Sequence, residues 1–183
     1  MRKLIYGINL SLDGCCDHTK FSGGAEMLTY WGEQLKDVDL FIYGRTTYEL
    51  MVPYWPNAAK NQNLSKEERE YGVAFDAIDR AVFSTTLQSV DIKSKLLHNN
   101  LAEEVLKLKQ QPGKTISTGG VTLPAQLLEA GLVDEFLIVI HPVIVGQGRR
   151  LFADAKLPEN LGLRLVDTTK LPSGAVALRY LKD

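Results

Sequence analysis

Twice in this 183-residue chain an apolar run ends at glycine and a helical pattern starts at once. The first passage is Phe41-Ile42-Tyr43-Gly44-Arg45-Thr46-Thr47-Tyr48-Glu49, and the second is Ile116-Ser117-Thr118-Gly119-Gly120-Val121-Thr122. A helix start presents unpaired N–H groups and a partial positive charge, and glycine lets an anion come close to the backbone. In a parallel sheet such turns sit at the carboxyl ends of strands, where open α/β folds bind ligands. Neither passage matches the six-residue dinucleotide fingerprint or a P-loop. Singly, each also reads as a tight turn made for local reasons, with Arg45 a solvated surface cation. Together, with Arg45 and several hydroxyls beside them, they favour a ligand that carries phosphates.

The elements that must hold these turns follow from two alternating periods. Leu4–Leu12 reads as a strand ending at the turn Asp13-Gly14. Residues 24–36 place Met27, Leu28, Trp31 and Leu35 at helical spacing. Asp39–Tyr43 is a short strand, and Thr46–Met51 a short helix stopped by Pro53 and Pro56. The polar stretch from Asn57 to Gly72 reads as a surface excursion ending in a short helix, with Ser65-Lys66-Glu67-Glu68 at capping-box spacing. The cluster Pro53, Tyr54, Trp55 and Pro56 reads either as a rim of the active site or as a local staple for this excursion. Ala81-Val82-Phe83 is a strand. A second capping box, Asn100-Leu101-Ala102-Glu103, opens a helix that Pro112-Gly113 closes.

Lys114–Thr118 is a strand leading to Gly119-Gly120. A helix follows from about Thr122, with Gly131 as its C′ residue. Phe136–Ile140 and Val143–Val145 read as strands, apolar at nearly every position. Such strands are buried on both faces or lie at a subunit contact. Leu163–Val166 and Ala175–Leu181, split by Pro172-Ser173-Gly174, read as a closing hairpin. Strand–helix alternation predicts one α/β domain over residues 1–183, a mostly parallel sheet with helices on both faces and a C-terminal antiparallel hairpin.

Composition excludes whole classes of partner. Lys and Arg number 21 against 22 Asp and Glu, a net charge of −1, so no cationic field draws nucleic acid or an anionic membrane. Residues 4–12 contain Gly7, Asn9 and Ser11 and read as a buried strand rather than a signal peptide. The cysteines, Cys15 and Cys16, are adjacent, which argues against a structural disulfide between them and fits a reducing cytoplasm. His18, His98 and His141 are too scattered to suggest a metal site.

The residues carry a resemblance. Gly44-Arg45-Thr46-Thr47-Tyr48-Glu49 resembles the Gly-Arg-x-Thr-x-Glu segment of dihydrofolate reductases, and Thr118-Gly119-Gly120 resembles that fold's second glycine turn. Ser11-Leu12-Asp13-Gly14 is similar to the reductase domain of bacterial riboflavin-biosynthesis enzymes. So is the run from Gly131-Leu132-Val133-Asp134-Glu135 to His141-Pro142-Val143-Ile144-Val145-Gly146-Gln147-Gly148. The chain is identified as a member of the dihydrofolate-reductase-like superfamily, on the side of the riboflavin-reductase C-terminal domain.

The resemblance implies an NADPH site. The pyrophosphate would rest between the starts at Thr46-Thr47 and at Gly120-Val121-Thr122. Arg45 would meet the adenosine-side phosphate, and Ser84 and Thr85 would stand near the ribose phosphate. Nicotinamide would lie against the first strand, close to Asn9. The resemblance further implies hydride transfer to a pyrimidine- or pterin-like heterocycle, and a homodimer. For the proton it offers Glu26, in the first turn of the first helix, and Asp13. Both have local readings: Glu26 complements a helix dipole, and Asp-Gly is a good turn. His141 before Pro142 reads as a proton donor or as a strand end. A strict riboflavin-precursor reductase needs a cation for the ribose phosphate, and Cys15-Cys16-Asp17-His18-Thr19-Lys20 offers only Lys20 and His18. The alternatives are a dihydrofolate reductase with Glu26 as its acid, and a non-catalytic NADPH-binding dimer.

Overall fold

A computed structural model describes residues 1–183 except Ser22, Asp154, Pro158 and Glu159. Its centre is an eight-stranded sheet. Six strands run parallel: β1 (Leu4–Ser11), β2 (Val38–Gly44), β3 (Asp79–Phe83), β4 (Ser94–Leu97), β5 (Thr115–Thr118) and β6 (Glu135–His141). β7 (Leu163–Lys170) and β8 (Val176–Lys182) close it as an antiparallel hairpin, in the order β4-β3-β2-β5-β1-β6-β8-β7. Among the described residues six α-helices complete the fold: α1 (Gly24–Gln34), which runs on into a 3-10 turn at Leu35–Asp37, α2 (Arg45–Met51), α3 (Trp55–Ala58), α4 (Lys66–Asp76), α5 (Leu101–Gln110) and α6 (Thr122–Glu129).

Period-2 alternation divides the core between the two faces of the sheet. On β1, Leu4, Tyr6, Ile8 and Leu10 face α5 and α6, where Val105, Leu127 and Leu128 join one buried cluster. On β2, Phe41 and Tyr43 point the other way, with Phe75 of α4 and Leu35 beside α1. Residues such as Leu4, Ile42, Ile116 and Leu127 lose all exposure, each contributing about 1.5–3 kcal/mol. Among the described residues no helix is long and apolar enough to cross a membrane.

The local signals held unevenly. Ser65 and Glu68 form the expected reciprocal capping box. At α5 the box is one-sided: Asn100 accepts from the Ala102 N–H at 3.1 Å, while Glu103 meets the Asn100 side chain at 3.5 Å instead of its backbone. The excursion's helix is not short but runs 11 residues, past Gly72, which lets it pack where a Cβ would strike the backbone of Trp55 and Ala59. Pro56 does not stop a helix; it sits in the first turn of α3, where its missing N–H costs nothing. Trp55 meets Tyr71 edge-to-face at 4.5 Å between ring centroids and staples α3 to α4. Val143–Val145 is not a strand. Its backbone satisfies the turn after β1 instead, with the Leu12 N–H donating to Val143 O at 2.8 Å and the Val145 N–H donating to Asp13. β4, a polar four-residue edge, has no period-2 apolar pattern to announce it.

Candidate cofactor-binding site

A single cleft of about 1020 Å³ runs along the carboxyl ends of the parallel strands. Asn9, Gly44, Arg45, Thr46, Thr47, Ser84, Thr85, Thr118, Gly119, Gly120, Val121 and Thr122 all line it. The chain leaves β1 toward β2 on one side and returns to β6 on the other, with β5 between. The cleft therefore opens at the reversal of strand order, where such sheets bind ligands.

The two glycine turns are built differently. Gly120 has φ +89°, and a Cβ there would overlap Thr47 Oγ1, so this turn needs glycine on both counts. Its carbonyl accepts the hydroxyl of buried Tyr6 at 2.8 Å, which ties the turn to the core. Gly44 has φ −82°, a conformation any residue adopts, and a Cβ there would meet Leu123 at an ordinary contact distance of 3.5 Å. Neither α2 nor α6 has a side-chain cap, so the free N–H groups of both starts remain without a side-chain acceptor.

Cations and hydroxyls divide along the cleft. Arg45 is exposed and forms no ion pair with the described residues. Ser84 is partly committed, since its hydroxyl accepts from the Thr86 and Leu87 N–H groups at 3.1 Å each. The Thr118 hydroxyl donates to Ile42 O at 2.8 Å and ties β5 to β2. Arg149 was not singled out from sequence. Its Nη2 donates to Thr122 Oγ1 at 3.0 Å, at the α6 start, and it lines the cleft with Arg45. Among the described lining residues Asp17 is the sole carboxylate, so the cleft is locally cationic in a chain of net charge −1. Two helix starts without side-chain caps, two arginines that pair with no carboxylate among the described residues, and the Gly120 cradle fit the phosphates of a dinucleotide.

Arg149 comes from far along the chain. The Cys16 N–H donates to Arg149 O at 2.9 Å and the Leu151 N–H to Gly14 O at 3.2 Å, pinning residues 149–151 beside the loop after β1. Cys15 is buried and Cys16 half-buried; both are free thiols, and burial pushes the Cys16 thiol up.

At the β1 end, Gly7 lacks the side chain that would press on Trp31, whose ring would stand 3.0 Å from a Cβ there. The Trp31 indole reaches along β1 and donates to Asn9 Oδ1 at 3.2 Å. His141, the last residue of β6, stands 3.3 Å from the same oxygen through Nε2, with the Phe21 ring 4.7 Å from its own. It is 5% exposed, and burial lowers its pKa.

The two carboxylates expected to act on substrate lie elsewhere. Glu26 is absent from the lining; its carboxylate accepts the Ser173 N–H at 2.9 and 3.1 Å, joining α1 to the β7–β8 turn. Asp13 is absent too. It accepts from Ser11 Oγ at 2.6 Å, the Val145 and Gly146 N–H groups at 3.1 and 2.9 Å, and Arg150 at 3.0 Å. The Ser11 hydroxyl first, then those amides, hold its carboxyl well below the usual carboxylate range. An acid so strongly stabilised as its anion is a brace for the loop, not a proton source. Among the described residues no group of three or more His, Cys, Asp and Glu side chains gathers as a metal site.

Sheet order, cleft and glycine turns define a dihydrofolate-reductase-like α/β protein. The chain belongs to the RibD C-terminal domain family, whose model matches residues 2–177. It is 37% identical over 147 residues, 80% of this chain and 75% of the relative, to the uncharacterized protein YyaP of Bacillus subtilis (strain 168). Its fold is similar to that of a putative riboflavin biosynthesis protein from Shewanella sp. PV-4, with a TM-score of 0.74, 18% identity and 99% of both chains covered. The Thermotoga maritima diaminohydroxyphosphoribosylaminopyrimidine deaminase/5-amino-6-(5-phosphoribosylamino)uracil reductase matches all of this chain over 57% of its own, with a TM-score of 0.69 and 10% identity. Dihydrofolate reductase from Enterococcus faecalis, complexed with NADP(H), gives a TM-score of 0.62 at 13% identity over 99% of this chain and 96% of that one.

Proposed function

We propose that this protein is an NADPH-dependent reductase of a pyrimidine- or pterin-like heterocycle, most like the 5-amino-6-(5-phosphoribosylamino)uracil reductase of riboflavin biosynthesis. One observation carries the reading: a single cationic cleft collects both uncapped helix starts, the Gly120 cradle, Arg45 and Arg149. Pockets for one small ligand run to about 300–1,000 Å³, so this one, at about 1020 Å³, has room for a cofactor with a small heterocycle beside it. NADPH supplies the hydride when bound. The chain's residues bind and orient: Thr46, Thr47 and the Gly120–Thr122 turn take the pyrophosphate, Arg45 the 2′-phosphate, and the β1 face around Asn9 the nicotinamide. Arg149 adds the second cation that the loop after β1 lacks in sequence.

Glu26 stands away from the cleft, which removes the acid on which a dihydrofolate reductase reading depended. A homodimer joined along β7 belongs to the same proposal. This edge strand leaves Leu163, Leu165 and Val166 exposed at 37%, 49% and 41%. Sedimentation of Leu165→Lys tests it, with a shift from dimer to monomer expected. The reductase itself is tested by titrating the protein with NADPH and then following NADPH oxidation with the phosphoribosylaminouracil substrate. Binding with turnover is expected; binding without turnover of any heterocycle would leave a non-catalytic NADPH-binding dimer. Absence of NADPH binding would end the proposal.

A further inference from the structure

The Trp31–Asn9–His141 chain dictates where its protons are. An indole N–H is a donor only, so the Asn9 atom 3.2 Å from Trp31 Nε1 must be the carbonyl oxygen. This settles the Asn9 orientation and sends its NH2 away from the indole. His141 Nε2 approaches the same oxygen at 3.3 Å and must therefore carry a proton. Burial lowers the His141 pKa and so favours the neutral ring, in which a proton on Nε2 leaves Nδ1 as a lone-pair acceptor.

Asn9 pairs with Val139 in the sheet, so His141, two residues further on β6, shares its face. Both residues line the cleft. No described residue bonds Asn9 Nδ2 or His141 Nδ1, and neither is among the sealed, unpartnered polar atoms of the described residues. The pair thus offers one fixed donor and one fixed acceptor.

We propose that Asn9 and His141 read an amide group of the ligand, with Asn9 Nδ2–H donating to its carbonyl and His141 Nδ1 accepting its N–H. Trp31 is the positioning residue, and Gly7 admits it. The proposal rests on the reductase reading, which supplies two amides of this chemistry: the carboxamide of nicotinamide and the ring lactam of a pyrimidine or pterin.

The full chain is titrated with 2′-phospho-ADP-ribose, with NADPH and with the reduced 3-acetylpyridine analogue of NADPH, which keeps the carbonyl and lacks the N–H. In a second arm uracil is compared with 3-methyluracil, with and without NADP+. A preference for NADPH over its analogue of roughly tenfold is expected for one hydrogen bond of this kind. His141→Phe should abolish that preference while leaving 2′-phospho-ADP-ribose binding unchanged. The isosteric Asn9→Asp keeps the acceptor for Trp31 and His141 but removes the donor, and should weaken NADPH and its analogue alike by roughly tenfold.

A preference for uracil over 3-methyluracil that vanishes in His141→Phe, without cofactor discrimination, supports the pair and assigns it to the substrate's lactam. Equal binding within both ligand pairs, a preference that survives in His141→Phe, or an Asn9→Asp variant that binds NADPH and its analogue as the wild type does, overturns the proposal. Should His141→Phe fail to fold, Asn9→Asp decides. Failure of the wild type to bind 2′-phospho-ADP-ribose overturns the dinucleotide reading separately, and the uracil pair without NADP+ then judges the amide proposal.

Discussion

Four helix starts in this protein divide into two kinds. α4 and α5 begin at Ser65 and Asn100, whose side chains accept N–H groups of their own first turns. α2 and α6 begin at Gly44 and Val121, which offer no side-chain acceptor, and both open on the cleft. A helix start exposes orphan donors in every case. α4 starts away from the cleft with a local acceptor, and α5 has one although Asn99 and Leu101 line the cleft. At the two glycine turns of the cleft the sequence withholds one and places Arg45 and Arg149 nearby. Stability and binding thus draw on the same N–H groups, and the contrast can be broken from either side.

The largest effect is expected at the strained turn. Gly120→Val meets both the φ of +89° and the overlap with Thr47, so it should abolish 2′-phospho-ADP-ribose binding in calorimetry. It should also lower unfolding free energy by about 1–3 kcal/mol. Gly44→Ala, at an ordinary φ, should lower neither measurably. Next is Arg45→Ala, which removes a charge-assisted contact worth about 1.5–3 kcal/mol. NADPH affinity should fall roughly ten- to hundredfold and NADH affinity hardly at all; equal losses would refute a 2′-phosphate contact.

Swapping the two kinds of start gives the sharper contrast. Ser65→Ala should cost about 1 kcal/mol in denaturant unfolding with no change in NADPH affinity. Gly44→Asp, at an N-cap with extended backbone, should do the reverse. It should stabilise the fold by a few tenths of a kcal/mol, through a better cap than Gly and the helix dipole, while weakening NADPH about tenfold by repelling phosphate. Unchanged NADPH affinity in Gly44→Asp would mean that the α2 start meets no phosphate.

The smallest effect concerns pH. The folded-state pKa of His141 lies below its unfolded value, because burial disfavours the imidazolium. Its contribution is therefore complete above the unfolded pKa of about 6.5 and is lost as pH falls through the folded value. Comparing unfolding free energies between pH 7 and pH 5, His141→Gln should show a shallower decline than the wild type.

Much of this was legible because it is local. Gly-Gly before a helical pattern, Ser65 three residues before Glu68, and Gly131 after the last periodic residue each report a backbone requirement of their own neighbourhood. Cleft-lining residues such as Arg45, Thr46, Gly119 and Gly120 could be named for the same reason, since they belong to turns at strand ends. Glu26 and Asp13 misled because a carboxylate near a site has the same letter whether it faces substrate or an amide N–H. Only packing brings Ser173 to one and Val145, Gly146 and Arg150 to the other. Arg149 was passed over, and His141 read only as a proton donor or a strand end, for the converse reason. Their partners, Thr122 and Asn9, are 27 and 132 residues away.

The sequence by itself determined which segments become strands and helices, where the chain must turn, and that bulk charge attracts no anion. Those properties depend on spacing, on conformational freedom at single residues and on composition. Tertiary structure decided the sign and content of the cleft. It gathered two arginines against one carboxylate within a chain of net charge −1, and aligned Trp31, Asn9 and His141 into one hydrogen-bonded chain. Electrostatic and hydrogen-bonding interactions act over a few ångströms of space, and the strand order that sets those distances joins positions more than a hundred residues apart.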